Sequence, residues 1–262
     1  MSNSVREALD SAATAVGRLD AEVLLGSVLR VERAALFAHP ERPLEPGQAR
    51  AFRDLVTRRI RREPVAYLVG RRAFRRLDLA VDPRVLVPRP ETEHVVEAAL
   101  ELPRGARVVD VGTGSGAIAL ALKDERPDLE VVGTDVSAGA LDVARANAAR
   151  LGLDVTFVHG DLLEPVEGLV DAVVSNPPYV ASGDPLPRDV ADFEPAGALY
   201  AGAEGLDVIR RLVPAAAGAV FLALEVGIRQ AVAVAELARD AGFATETVRD
   251  LAGIERVVIG RR

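Results

Sequence analysis

The chain has 262 residues, 49% of them hydrophobic, and a net charge of −7. That is enough apolar material for one large domain, or a medium and a small one, around a proper core, and it excludes a disordered chain. No cysteine is present, which excludes disulfides, thiolate metal sites and cysteine nucleophiles, and His39, His94 and His159 lie too far apart to show ligand spacing, so no metal is expected.

The longest apolar stretch, residues 215–226, is interrupted by Gly218 and is too short to span a bilayer, and MSNSVREALD at the start lacks the apolar core of a signal peptide. These features predict a soluble cytoplasmic protein with no membrane partner. Residues 41–90 carry 13 Arg against 6 Asp plus Glu, an excess of +7, and a chain total of −7 then leaves −14 for the rest. The acidic majority argues against a nucleic-acid substrate. The arginine-rich segment suits an acidic protein or an RNA, although a solvated helix face explains any single arginine as well.

Ser4 and Glu7 have capping-box spacing, and Val5, Leu9, Ala12 and Val16 follow at helical intervals, predicting a first helix. A second is predicted over 19–29 with Leu19, Val23, Leu24 and Val28 on its apolar face, and a short third over 32–38. A longer fourth, opened by Pro46 and ended by Pro64, has Phe52, Leu55, Val56 and Ile60 as its stripe. Four helices with short connections make a small bundle over residues 1–72. From Phe74 to Val87 apolar residues alternate around a proline, so a hairpin linker is expected over 73–89. PRPETE, with Pro90 at a helix start and acids in the first turn, opens a larger domain over 90–262. Its place suits a hinge or lid as well as a plain helix entry.

RVVDV at 107–111 is a strand candidate that runs into Gly112, Thr113, Gly114, Ser115 and Gly116 and then into the helical AIALALKDE. Strand, glycine turn and helix bring backbone close to a bound nucleotide. The spacing is GxGxG and not the dinucleotide GxGxxG, and no lysine follows the glycines as a phosphate-binding loop requires. A second strand over 130–134 ends at Asp135, where an acid can bind ribose hydroxyls. After a helix over 138–151, a third strand over 155–158 leads to Asp161 and Leu162.

The apolar run DAVVS then stops at Asn176, Pro177, Pro178 and Tyr179. Ligands of open parallel sheets sit at the carboxyl ends of strands, so Asp135, Asp161 and Asn176 line one crevice. The prolines have no N–H and offer only carbonyls, Asn176 adds an amide oxygen, and Tyr179 adds a flat face with a polar tip. A stiff loop rich in acceptors fits a planar group with N–H donors, such as a carboxamide or the exocyclic amine of a base. Standing alone, NPPY is explained equally well as a proline-terminated strand. Residues 181–205, rich in Gly, Pro and Asp, read as a long functional or mobile loop. A helix over 206–217, a buried strand over 219–225, a helix over 229–240 and strands over 244–248 and 256–259 complete the chain.

VVDVGTGSGAIALAL, Asp135 and VVSNPPYV together resemble the amino-methylating class I S-adenosylmethionine-dependent methyltransferases. EPVAYLVG at 63–70, VLVPRPETE at 85–93, DFEPAGAL at 192–199 and DLAGIERVV at 250–258 narrow the resemblance to the release factor glutamine methyltransferases, also called the HemK or PrmC family. It implies an α/β fold, a Rossmann-like seven-stranded catalytic domain preceded by a helical substrate-recognition bundle and a hairpin linker. It also implies methylation of the side-chain amide nitrogen of the glutamine in the GGQ loop of peptide chain release factors, with S-adenosylmethionine converted to S-adenosylhomocysteine. Carried over by position, Gly112 to Gly116, Asp135, Asp161, Leu162 and Asn176 would hold the cofactor, with Leu162 beside the adenine. Asn176, Pro177, Pro178 and Tyr179 would hold the glutamine, and Asn176 and Pro177 would be the catalytic pair. Arg75 stands where relatives often have glycine.

A glutamine methyltransferase of a ribosomal protein would use the same loop, and an adenine or guanine N-methyltransferase would meet the same donor pattern. The acidic catalytic part and the absence of tryptophan argue against the nucleobase reading. A non-catalytic, ribosome-associated module is the remaining alternative, opposed by the intact glycine loop, Asp135 and NPPY.

Overall fold

The computed structural model describes residues 4–262. By contact pattern the chain divides into two units, residues 1–71 with 186–193, and residues 72–185 with 194–262.

The first unit holds α1 (Val5–Val16), α2 (Arg18–Leu29), α3 (Arg33–Ala38), α4 (Pro46–Ile60) and α5 (Val65–Val69). The Ser4 hydroxyl accepts from the Glu7 N–H at 3.3 Å while the Glu7 carboxylate accepts from the Ser4 N–H at 3.3 Å, the reciprocal cap its spacing predicts. Leu9, Leu24, Leu25, Leu36 and Phe52 form the core. The apolar face of α2 differs from expectation: Ala21, Leu24, Leu25 and Leu29 are buried and Leu19 is exposed. RLDAEVLLGSVL is apolar around much of its circumference, so periodicity alone does not fix its phase. In α4 only Phe52 is fully buried and Ile60 is exposed. α5 was not expected, since Pro64 reads as a stop, yet Pro64 sits at the N-cap and opens the short helix. Glu22 is buried here between Arg18 and Arg33, at 2.7 and 2.6 Å. Burial pushes its pKa up, but the two guanidiniums prevail and hold it below the usual carboxylate range.

The two-stranded sheet of β1 (Arg71–Phe74) and β2 (Leu77–Ala80) follows. Its turn is Arg75–Arg76, earlier than the Pro83 turn the sequence suggested, and Arg75 takes a left-handed φ of 51°. A 3-10 turn, Pro90–Thr92, then leads into α6 (Glu93–Ala99).

The rest alternates: β3 (Arg107–Val111), α7 (Ala117–Glu125), β4 (Glu130–Asp135), α8 (Ala138–Leu151), β5 (Thr156–His159), β6 (Ala172–Ser175), α9 (Arg188–Ala191), α10 (Asp207–Ala215), β7 (Phe221–Glu225), α11 (Ala231–Asp240), β8 (Ala244–Arg249) and β9 (Glu255–Arg261). The seven-stranded sheet has the order β5-β4-β3-β6-β7-β9-β8. Its first five strands are parallel, and β9 runs antiparallel to both β7 and β8. Alternation splits the core: Val108, Ala172 and Val174 pack toward α6 and α7, while Val109, Val173 and Leu222 pack toward α10 and α11. The chain moves outward from β3 to β4 and β5 and then returns to β6 on the other flank. The carboxyl ends of β3 and β6 therefore open side by side at a topological switch point.

The expected long loop after NPPY is partly ordered by its own short elements, α9, a 3-10 turn at Ala196–Ala198 and a bridge between Val180 and Tyr200. Its Pro and Gly residues punctuate turns and do not keep it open.

Candidate active site

The glycine loop is shaped by its backbone. Gly112, Gly114 and Gly116 have φ of 70°, 56° and 84°, a region that L side chains rarely enter. A Cβ on Gly116 would meet Leu120 Cδ1 at 2.9 Å and the Ala144 Cβ at 3.3 Å, so this glycine is a packing requirement of α7 on α8. Nothing lies within 4 Å of a Cβ built on Gly112 or Gly114, where the backbone borders open space. Under the loop, Asp110 Oδ2 accepts from the Thr113 hydroxyl at 2.7 Å and the Ala119 N–H at 3.1 Å. Its Oδ1 is buried and takes no donor among the described residues. Burial pushes the Asp110 pKa up to about 7, against the pull of those two hydrogen bonds.

The end of β4 supplies the second wall. Asp135 accepts from the Gly114 N–H at 3.0 Å through Oδ2 and from the Ser137 N–H at 2.8 Å through Oδ1, which fixes the carboxylate and leaves each oxygen further acceptor capacity. After β5, Leu162 sits at φ 50° with its carbonyl accepting from the Thr134 hydroxyl at 2.8 Å. The Asp161 carboxylate is ion-paired to Arg211.

The third wall is the Asn-Pro-Pro-Tyr turn. The Asn176 Nδ2 donates to Thr92 Oγ1 at 3.0 Å, and the Thr92 hydroxyl donates to Glu225 Oε2 at 2.6 Å. The Tyr179 hydroxyl donates to Glu225 Oε1 at 3.2 Å. Burial pushes the Glu225 pKa up to about 7, opposed by these two hydrogen bonds, and pushes the Tyr179 phenol up as well. Neither Asn176 Oδ1 nor the Pro177 carbonyl takes a donor from the described residues.

These walls enclose one cavity of about 630 Å³, the size of a small-molecule site. Gly112, Thr113, Gly114, Ser115, Asp135, Asp161, Leu162, Asn176, Pro177 and Pro178 all line it. Gly116 and Tyr179 do not, the first being packed against α7 and α8 and the second turned onto Glu225. Thr92 lines the cavity too, and sequence reasoning passed it over within a helix entry. Glu225 was hidden at the end of an apolar strand. A polar residue closing such a run was the available signal. Arg89 and Glu194, paired at 2.5 Å, join PRPETE to the segment that contributes Pro195, Gly197 and Ala198 to the cavity, and Glu194 also accepts from the Val87 N–H at 3.1 Å.

The arginine-rich segment is less free than its charge suggests. Arg58 is paired with Glu63, Arg59 with Asp20 at 2.7 Å, Arg75 with Glu125 at 2.8 Å and Arg76 with Asp124 at 2.9 Å. Among the described residues Arg61 and Arg62 have no side-chain partner.

The family model described as the methyltransferase small domain matches residues 92–191, and the one described as the PrmC N-terminal domain matches residues 2–70. A release factor glutamine methyltransferase of Koribacter versatilis is 44% identical, spanning 99% of this chain and 96% of its own. One of Xylella fastidiosa is 45% identical over 97% of this chain and 96% of its own. Among solved structures, a methyltransferase from Pyrococcus furiosus is 20% identical and superposes with a TM-score of 0.55, covering 72% of this chain and 90% of that one, a likeness of fold.

Proposed function

The chain belongs to the release factor glutamine methyltransferase family, and we propose that it transfers a methyl group to the side-chain amide nitrogen of the glutamine in the GGQ loop of peptide chain release factors. The observation that carries this reading is the pair of unbonded acceptors, Asn176 Oδ1 and the Pro177 carbonyl, beside a cavity walled by glycine backbone and a fixed carboxylate.

An S-adenosylmethionine-sized cofactor fits these residues. Left-handed glycines keep the loop backbone free of side chains, and Asp135 holds acceptors ready for ribose hydroxyls. Gly112 to Ser115, Asp135, Asp161 and Leu162 would hold it, and Gly116 would support the loop from behind. When bound, it supplies an electrophilic sulfonium methyl.

The protein's own task is to make a poor nucleophile react. An amide nitrogen shares its lone pair with the carbonyl. Asn176 Oδ1 and the Pro177 carbonyl accept the two N–H bonds of the substrate amide, fix the nitrogen in place and stabilise the positive charge that develops on it. No strong base is required, because the nitrogen becomes acidic as it is methylated and its proton passes to water. Tyr179 supports the turn through Glu225. The helical unit recognises the release factor, with Arg61 and Arg62 among its available cations.

The test is mass spectrometry of a purified release factor incubated with this protein and S-adenosylmethionine. One added methyl confined to the GGQ peptide, and absent from a GGA control, is the expected result. No methyl on either peptide, with cofactor binding intact, would move the substrate to another amide or amine.

A further inference from the structure

The two ends of the Asn176 amide are nearly equal in size, and only the oxygen can accept from a substrate N–H. Half a turn of the amide would exchange them with little steric difference, so the useful orientation must be imposed by neighbours.

The neighbours that impose it come from distant parts of the chain. Thr92, in the 3-10 turn before α6, is 84 residues from Asn176, and Glu225, at the end of β7, is 133 residues from Thr92. A carboxylate only accepts hydrogen bonds. When ionised, Glu225, 1% exposed, therefore turns the Thr92 hydroxyl proton toward its Oε2 at 2.6 Å, and its Oε1 takes the Tyr179 hydroxyl at 3.2 Å. The single Thr92 proton is then committed, and Thr92 Oγ1 can only accept from Asn176, at 3.0 Å. A reversed amide would set oxygen lone pairs against oxygen lone pairs. The far side of the turn is held as well, by Gln230 Nε2 donating to the Tyr179 carbonyl at 3.0 Å.

We propose that Thr92 and Glu225 are positioning residues for methyl transfer: Glu225 orients the Thr92 hydroxyl, and Thr92 holds the Asn176 amide with its oxygen toward the substrate. This rests on reading Asn176 as the acceptor for the substrate amide.

Thr92→Val keeps the side-chain shape and removes the hydroxyl, while Thr92→Ser retains it. In single-turnover methylation of a release factor, Thr92→Val is expected to slow transfer on the order of 10²-fold, the loss that follows misplacement of a reacting group. Cofactor affinity and the KM for the release factor should be unchanged, and Thr92→Ser should recover most of the rate. In an Asn176→Ala background Thr92→Val should cost nothing further. An unchanged rate in Thr92→Val, a matching fall in cofactor affinity, or no rescue by serine would overturn the proposal. A second readout needs no substrate: by NMR, the Asn176 side-chain amide protons should exchange slowly in the wild type and in Thr92→Ser, and fast in Thr92→Val. If the wild type methylates no release factor, the functional reading fails while amide exchange still decides the positioning. Fast exchange in a wild type that does methylate would sink the positioning alone.

Discussion

The glycine loop after β3 and the Asn-Pro-Pro-Tyr turn after β6 leave neighbouring parallel strands paired through Val111 and Ser175, yet they are built by opposite means. The first is local. Three left-handed glycines set its path, and the atoms that crowd Gly116 lie in α7 and α8. The second is assembled over distance, its amide oriented by Thr92 and Glu225 from either side in sequence. A site made of backbone tolerates little change in its own residues, whereas one made of a side-chain network is exposed to change in residues remote in sequence.

Removing the amide tests this contrast most strongly. Asn176→Ala deletes one preorganised acceptor and is expected to lower the single-turnover rate about 10²–10³-fold, or roughly 3–4 kcal/mol in the transition state. Because Asn176 is only partly buried and, among the described residues, its side chain bonds only Thr92, folding stability should hardly move. A wild-type single-turnover rate in this variant would show that the turn's backbone suffices, and the contrast would collapse.

The network should also respond to pH, which the glycine backbone cannot. Burial brings the Glu225 pKa to about 7, helped by the repelling charge of Glu91 and opposed by the Thr92 and Tyr179 hydroxyls and the attracting charge of Arg256. Its ordinary value is 4.5. A raised carboxyl pKa means the folded state favours the neutral form, so its contribution to stability is greatest below 4.5 and is lost as pH rises toward 7, by about 3 kcal/mol. Asp110 acts in the same direction. Activity moves the other way, since only ionised Glu225 fixes the Thr92 proton, and methyl transfer should rise as pH passes through about 7. Glu225→Gln should reduce the stability slope between pH 5 and 7.5, measured by denaturant unfolding, and remove the matching step in the rate. If both slopes survive the substitution, other groups set them.

Within the glycine loop the contrast sharpens further. Gly116→Ala places a methyl 2.9 Å from Leu120 and adds left-handed strain, so about 2–4 kcal/mol of stability should be lost. Gly114→Ala meets no atom within 4 Å and should lose only about 1–2 kcal/mol from its φ, but it should weaken cofactor binding, because its new methyl projects from the bare backbone bordering the cavity. Thermal unfolding and calorimetric titration separate the two. Equal losses of stability would mean that crowding behind the loop is unimportant.

What was legible in the sequence follows the same division. Strand, glycine turn and helix at 107–125 could be read directly, because neighbouring residues determine them, and α7 and α8 fall on the bounds expected. The place of Asn176 at a strand end was readable too, from the end of an apolar run. Its partners were not, since nothing local marks Thr92 or Glu225 as meeting there. The phase of α2 escaped for another reason: a helix apolar on several sides takes its orientation from packing, and Ala21 and Gly26 are small buried residues that periodicity of large residues overlooks. In the hairpin, Pro83 is the stronger turn former by residue type, yet Arg75 makes the turn.

That arginine combines both strategies. Arg75 adopts a φ of 51° without being glycine, a strain of about 1–2 kcal/mol for an L residue. Its N–H donates to Glu93 Oε1 at 3.1 Å, and its guanidinium pairs with Glu125 and Glu97, both at 2.8 Å. Arg75→Gly relieves the strain and keeps the backbone donor but loses the ion pairs. The Glu125 pair, with both side chains largely out of solvent, outweighs the strain relieved, so a net loss of about 1–3 kcal/mol is expected at low salt. The pair and the strain differ in salt dependence. Added salt weakens ion pairs and leaves backbone strain untouched, so the glycine variant should gain on the wild type as ionic strength rises. Stability curves that stay parallel in salt would show that the turn is held by its backbone alone, as the glycine loop is.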